Sequence, residues 1–383
     1  MYHLLQVNPQ TTGGTMKHRW LLKIGASLII CALAVAPALA SAAGNSFVGS
    51  FNTVSTVAST VPANGDVNPY GVAVVRSSKG ALVKGDILVS NFNNSANLQG
   101  TGTTIVQVAP DGSSSVFAQV SAGDLPEPCP GGVGLTTALV ALRSGWVIVG
   151  SLPTTDGTSA TAQAGCLIVL NSQGHVVETF AGHLINGPWD MTALDEGDEA
   201  ALFITNVLND TVAGSPNEVD HGTVVRIDLS LSDHKMPRDT SRTVIGSGFG
   251  ERTDPAALVI GPTGVGLGRD GTLYVADSLA NRIAAIPRAA ERKTSAGTGR
   301  TVSMNGALND PLGLAIARNG DILTTNGNDG NLVEITLGGH QVATTMIDNT
   351  GTGAGTLFGL AVAPHGKGIY FVNDGNNMLD LFH

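Results

Sequence analysis

Along most of the chain, apolar residues fall in short runs, some alternating with polar ones and some unbroken, and each run is bounded by glycine, asparagine or aspartate. Alternation puts every second side chain on one face of a strand, whereas a helix needs an apolar repeat near 3.6 residues. Past the first forty residues the helical repeat is nearly absent, so the pattern predicts an all-β chain.

The runs also keep an order. A turn precedes an inner strand in NPYGVAVV at 68, PGGVGLTTALVAL at 130, GPWDMTAL at 187, GPTGVGLG at 261, DPLGLAIA at 310 and LFGLAVA at 357. A second strand follows each, as in GDILVSN at 85 and GTLYVAD at 271, and then a third, as in CLIVL at 166 and NRIAAI at 281. The first five sets have a fourth strand, such as HVVETF at 175; the sixth set ends at His383, and NTVSTVAS from 52 is left over. A six-bladed β-propeller, closed by that N-terminal segment as the outer strand of the last blade, uses every run and leaves no long open edge. The expected domain spans residues 43–383.

Residues 1–42 read differently. Lys17, His18, Arg19 and Lys23 precede an apolar stretch, Ile24 to Ala36, that ends in Ala38-Leu39-Ala40. That is the form of a secretory signal, and Met16 is an alternative start to Met1. The apolar stretch is shorter than the roughly 20 residues needed to span a bilayer. The expectation is an exported chain, periplasmic or secreted, monomeric, with no membrane span after cleavage.

Composition narrows the partners. Fifty glycines and 13% charged residues suit short strands and tight turns. A formal charge of -10 without a basic patch excludes the electrostatics of nucleic-acid binding. Of three cysteines, Cys31 lies in the signal, so Cys129 and Cys166 remain, one before and one after a long blade-two loop. In an oxidising compartment they are expected to form a disulfide clamping that loop.

Pro262, Gly264, Tyr274 to Asp277, Asn281, Arg282 and Ile283 carry a P-x-G, V-A-D, N-x-R-I pattern. This stretch resembles the NHL repeat; blades five and six follow it moderately and blades one to three only in outline. NHL propellers are in turn similar to the six-bladed gluconolactonase and paraoxonase-like enzymes. That resemblance implies metal-binding Glu, Asn and Asp at the channel mouth. The residues before the inner glycines here are Tyr70, Val133, Trp189, Thr263, Leu312 and Phe358, none of them a carboxylate or amide. Calcium needs six or more oxygens, so no cofactor is expected.

The loops after the second strands are long in blades one to three and short in blades four to six, which builds up half of one face, here called the top. Such loops carry binding sites in rigid scaffolds, though they also tolerate drift. Two readings follow. In the first, the chain is a non-catalytic module that binds a small ligand, glycan or protein partner on the top face. Tyr70, Trp189 and Phe358 would form an aromatic mouth, and Asn91, Asn206 and Asp277 come from a polar ring that Ser151, Asn326 and Asn373 complete. That ring also suits turn capping. In the second, the chain is a lactonase-like hydrolase or lyase. It would use Asp190, which replaces an inner glycine, with His183 and His221 as catalytic groups, and Asp190, Asp220 and His221 as calcium or zinc ligands. Convergence of His183, Asp190 and His221 would separate the two.

Overall fold

The computed structural model describes residues 46–127, 129–231, 236–351 and 355–383. The expected signal segment and both candidate start residues lie outside the described residues. Six antiparallel sheets form the blades of a propeller. Blade one runs Val67–Val74, Ile87–Asn93, Thr104–Val108 and Ser114–Gln119 from the axis outward. The other blades repeat the order, and blade three adds a fifth strand, Leu258–Ile260, hairpinned onto its very long outer strand Arg238–Asp254.

The apolar runs explain the layering. Second and third strands such as Leu273–Asp277 and Arg282–Ile286 are buried along their whole length, because both faces of a middle strand meet a neighbouring blade. Outer strands such as Arg300–Met304 are mostly exposed, and their composition is correspondingly polar. Each interface between blades holds its own apolar cluster. Leu88, Ile105, Val149 and Ile168 join blades one and two, and Tyr274, Ile283, Ile322 and Val333 join blades four and five.

At the axis the inner glycines allow one blade to lie directly on the next. A Cβ built at Gly313 would stand 2.1 Å from the Phe358 carbonyl oxygen, and one at Gly359 would stand 2.2 Å from that of Tyr70. Both are distances no side chain tolerates.

Ring closure follows the expected scheme. Val54–Ser59 pairs antiparallel with Met378–Phe382, with Val54 opposite Phe382 and Ser59 opposite Met378. Ahead of it, Ser46 Oγ and the Phe47 and Val48 backbone N–H groups donate to the Glu334 carboxylate, which anchors this end of the chain to blade five.

The disulfide Cys129–Cys166 is formed, with a Cα–Cα distance of 5.3 Å. Among the described residues no helix is long and apolar enough to cross a membrane.

Blade two corrects one position. Its inner strand is Leu135–Ala141, and Leu139 pairs with Val149 as Val265 pairs with Val275 in blade four. Gly71 packs toward the Thr137 carbonyl, just as Gly359 packs toward that of Tyr70. Thr137, not Val133, therefore stands at the channel. Gly134 misleads because it belongs to the approach turn, where its N–H donates to Ser151 Oγ.

Candidate functional site

The ring at the axis is thus Tyr70, Thr137, Trp189, Thr263, Leu312 and Phe358. The aromatic members converge, but they fill the channel and do not line an open mouth. Tyr70 is stacked between Phe358 (centroids 3.8 Å) and Phe92 (4.5 Å), and Trp189 meets Tyr70 edge-on at 5.8 Å. Tyr70, Trp189 and Phe358 are 0, 2 and 4% exposed. From above, Leu258 and Val259 of the blade-three hairpin join the same cluster. A six-fold ring brings side chains at this position within contact distance, and burial of their apolar surface then keeps the plug closed.

Below the plug, Asp190 projects where the other blades have glycine or alanine. One carboxyl oxygen accepts the Met191 N–H (2.8 Å) and the other accepts the Val265 N–H of blade four (3.0 Å). The residue is half-buried and lines a small void of the channel. Burial pushes its pKa up to about 7, against the pull of those two N–H groups. The adjoining void, about 10 Å³, has room for one water at most.

The other proposed acid–base groups are elsewhere. His221 pairs with Asp210 at 3.3 Å, both side chains being largely exposed. Asp220 is exposed beside them, and His183 sits in an exposed turn with φ of 23°. Among the described residues no group of three His, Cys, Asp or Glu could hold a metal. The calcium site implied by the lactonase resemblance does not fit either, since the axis ring offers only apolar groups and hydroxyls.

The polar ring has architectural partners. Asn91 Nδ2 donates to the Thr60 carbonyl, Asn206 Oδ1 accepts the Asn186 N–H, and Asp277 pairs with Arg282 at 2.7 Å. Asn326 and Asn373 bond to Ala307 and Asp348 in the same manner. All these side chains are buried. Asn91, Asn206 and Asp277, expected as ligand contacts, tie strands to the segments that connect blades through one polar atom each, while Asn91 Oδ1, Asn206 Nδ2 and Asp277 Oδ1 stay buried and unpaired. The Arg282 of the N-x-R-I pattern extends this by donating to Thr301 Oγ1 and the Thr298 carbonyl.

The open site lies above the plug, between blades one and six. It is a cleft of about 400 Å³ walled by Asn68, Asn93, Gln99, Asp374 and Asn377, with Ser95 on the rim and Ala256 of the blade-three tip closing one side. The long loops hold it in shape. Gln99 Nε2 donates to the Pro255 carbonyl (3.1 Å), Thr154 Oγ1 to the Gln99 carbonyl (2.6 Å), and Ser159 Oγ to the Asp254 carbonyl (3.3 Å). Loops of blades one and two thereby brace each other and the blade-three tip.

This cleft contains unmet hydrogen-bonding capacity. Asn68 Oδ1, Asn93 Oδ1 and Gln99 Oε1 are buried atoms without a partner, as is the Tyr70 hydroxyl, which lies near Asn68 and feels the charge of Asp374. Leaving such a group unpaired costs about 1–3 kcal/mol each. Burial, followed by the charge of Asp374, pushes the Tyr70 pKa well up; the neighbouring Asn68 side chain pulls it back, though the contact is not a well-formed bond. Burial, aided by Asp348, raises Asp374 itself to about 7. Sequence reasoning missed this cleft: Asn68, Asn97 and Asn377 have positive φ and read as turn residues.

No family profile matches the chain, and no curated protein matches it. Several solved structures do. A gluconolactonase from Xanthomonas campestris is 13% identical over 86% of this chain and 88% of its own, with a TM-score of 0.53. A calcium-binding regucalcin from Agrobacterium tumefaciens is 12% identical over 85% and 93%, with a TM-score of 0.54. A luciferin-regenerating enzyme is 11% identical over 86% and 94%, with a TM-score of 0.54. At such identities the likeness is one of fold: the chain is a six-bladed β-propeller of the architecture that gluconolactonase and regucalcin share.

Proposed function

We propose that the chain is an exported, non-catalytic binding module whose top-face cleft takes a small hydroxyl-rich ligand such as a sugar unit of a glycan. The observation that carries this reading is the set of buried, unpartnered amide oxygens around an open cleft of about 400 Å³. A protein interior seldom leaves such atoms unpaired, and a ligand with several hydroxyls would pair them. The cleft is built on strand ends and braced loops, so little ordering is needed on binding. The disulfide Cys129–Cys166 suits an oxidising compartment and supports export.

Lactone hydrolysis is the second reading. One observation favours it: Asp374 lies in the cleft with its pKa raised to about 7, where a carboxyl can act as acid or base. Against it, the Ser95 hydroxyl on the cleft rim has no hydrogen-bonded base among the described residues. Thermal-shift and calorimetric titration against a panel of monosaccharides and sugar lactones, with Asn93→Ala as site control, tests both readings. Saturable binding lost in Asn93→Ala, without product, supports the module; turnover of a lactone abolished by Asp374→Asn replaces it with the hydrolase.

A further inference from the structure

The amide atoms that the cleft leaves buried and unpaired are all oxygens, although Asn97 and Asn377, which accept at Oδ1, also keep an Nδ2 group on its wall. Asn93 Nδ2 donates to Asn97 Oδ1 at 2.7 Å, and Gln99 Nε2 donates to the Pro255 carbonyl. The Pro255 carbonyl fixes the remaining atom of Gln99 as oxygen, and the Asn97 backbone carbonyl, 3.5 Å from Asn93 Nδ2, does so for Asn93. With Asn68 Oδ1, which lies near the Tyr70 hydroxyl but forms no well-made bond, they make three buried oxygens with unmet capacity, on side chains of which Asn93 is only 2% exposed. Asp374 adds a carboxyl to the same wall, and among the described residues lining the cleft there is no Lys, Arg or His.

The chemistry of the missing partner follows. A carboxylate or phosphate brings only acceptors and negative charge, so it would leave the three oxygens unpaired and meet Asp374. A hydroxyl brings one donor together with its own lone pairs. An ammonium group brings three donors, no acceptor and a positive charge. In a chain of net charge -10, it also enters a favourable field.

We propose that the cleft selects a primary ammonium group carried on a sugar-sized polar molecule, that is, an amino sugar. This rests on the cleft being the ligand site proposed above, and the test keeps the two claims apart. Glucosamine, glucose, N-acetylglucosamine and glucuronate are titrated calorimetrically into the whole protein at neutral pH, with amide chemical shifts reporting the location. Glucosamine should bind at least about ten-fold tighter than glucose. N-acetylation, which removes the charge, should abolish that gain, and glucuronate should bind weakest. Asp374→Asn should shrink the preference to about three-fold or less, and Ser95→Asp, at an exposed rim position, should widen it. Equal binding of glucose and glucosamine at the cleft, lost in Asn93→Ala, overturns the amine selectivity and leaves a sugar site. No binding of any probe, with no shift changes at Asn68, Asn93 or Asp374, overturns both.

Discussion

Removing the Tyr70 hydroxyl should stabilise the free protein. The ring is stacked on both faces, so Tyr70→Phe keeps the packing with Phe92 and Phe358 and deletes a buried oxygen that has no partner. An unpaired hydroxyl costs about 1–3 kcal/mol, and its isosteric loss returns part of that. For about 340 folded residues the unfolding entropy is about 0.7 kcal/mol per kelvin, so 1 kcal/mol corresponds to about 1.4 °C in Tm. The expected shift is a rise of about 1–3 °C in calorimetry of the ligand-free protein. A tyrosine whose hydroxyl was satisfied in the free state would give the opposite sign. A fall of 2 °C or more in Tyr70→Phe would therefore refute the claim that this hydroxyl is unpaired.

Other perturbations have equally definite signs. Trp189→Ala removes a side chain 2% exposed in the plug and should cost about 3–5 kcal/mol; a Tm within 1 °C of the parent would show that the plug is not the core of the top face. Replacing Cys129 and Cys166 by Ser opens a cross-link of sequence separation 37, worth about 4 kcal/mol by chain entropy, and urea unfolding with a midpoint unchanged in the variant would count against it. Asp190, Asp374 and Glu251 have folded-state pKa values raised by burial to about 7, 7 and 8. The folded chain therefore holds protons that the unfolded chain has released above about pH 4. This stabilisation is complete below that pH and is lost as pH rises through 7 and 8, so Tm should fall between pH 5 and 8.5. Glu251→Gln should flatten the upper part of that fall, and a Tm that rises across the window would contradict the assignment.

The fold was legible in the sequence because a propeller states its plan several times. A weak match in one blade is supported by the others, and the unassigned strand near residue 54 has only one vacant place. Blade two shows the limit. Gly131, Gly132 and Gly134 crowd the turn, and only pairing of Leu139 with Val149 shows that Thr137 reaches the axis. The site was less legible for a different reason. A position at the axis can be read from a repeat, but whether its side chain is open or covered depends on partners far along the chain, here Phe92, Leu258 and Val259. The cleft was illegible for the same cause: an asparagine in a turn and one with an oxygen left over are the same letter.

The pairing of Val54–Ser59 with Met378–Phe382 joins strands that are far apart in the sequence. Ser55 and His383, bonded through Oγ and Nε2, are 328 positions apart. On a ribosome the first of these strands emerges early and must wait, unpaired, until the other has been made. During that interval five blades can be complete while the sixth lacks a partner on one side, and the waiting strand is a free β-edge open to another chain. Its alternation of Val with Ser and Thr, lacking a continuous apolar run, lowers that hazard. A chain lacking Met378–Phe382 would leave the first strand without its partner and the ring open. Rejoining the chain at residues 383 and 52, with new ends cut in an exposed turn such as Gly338–Gly339, would make closure a local hairpin and transfer the waiting to blade five.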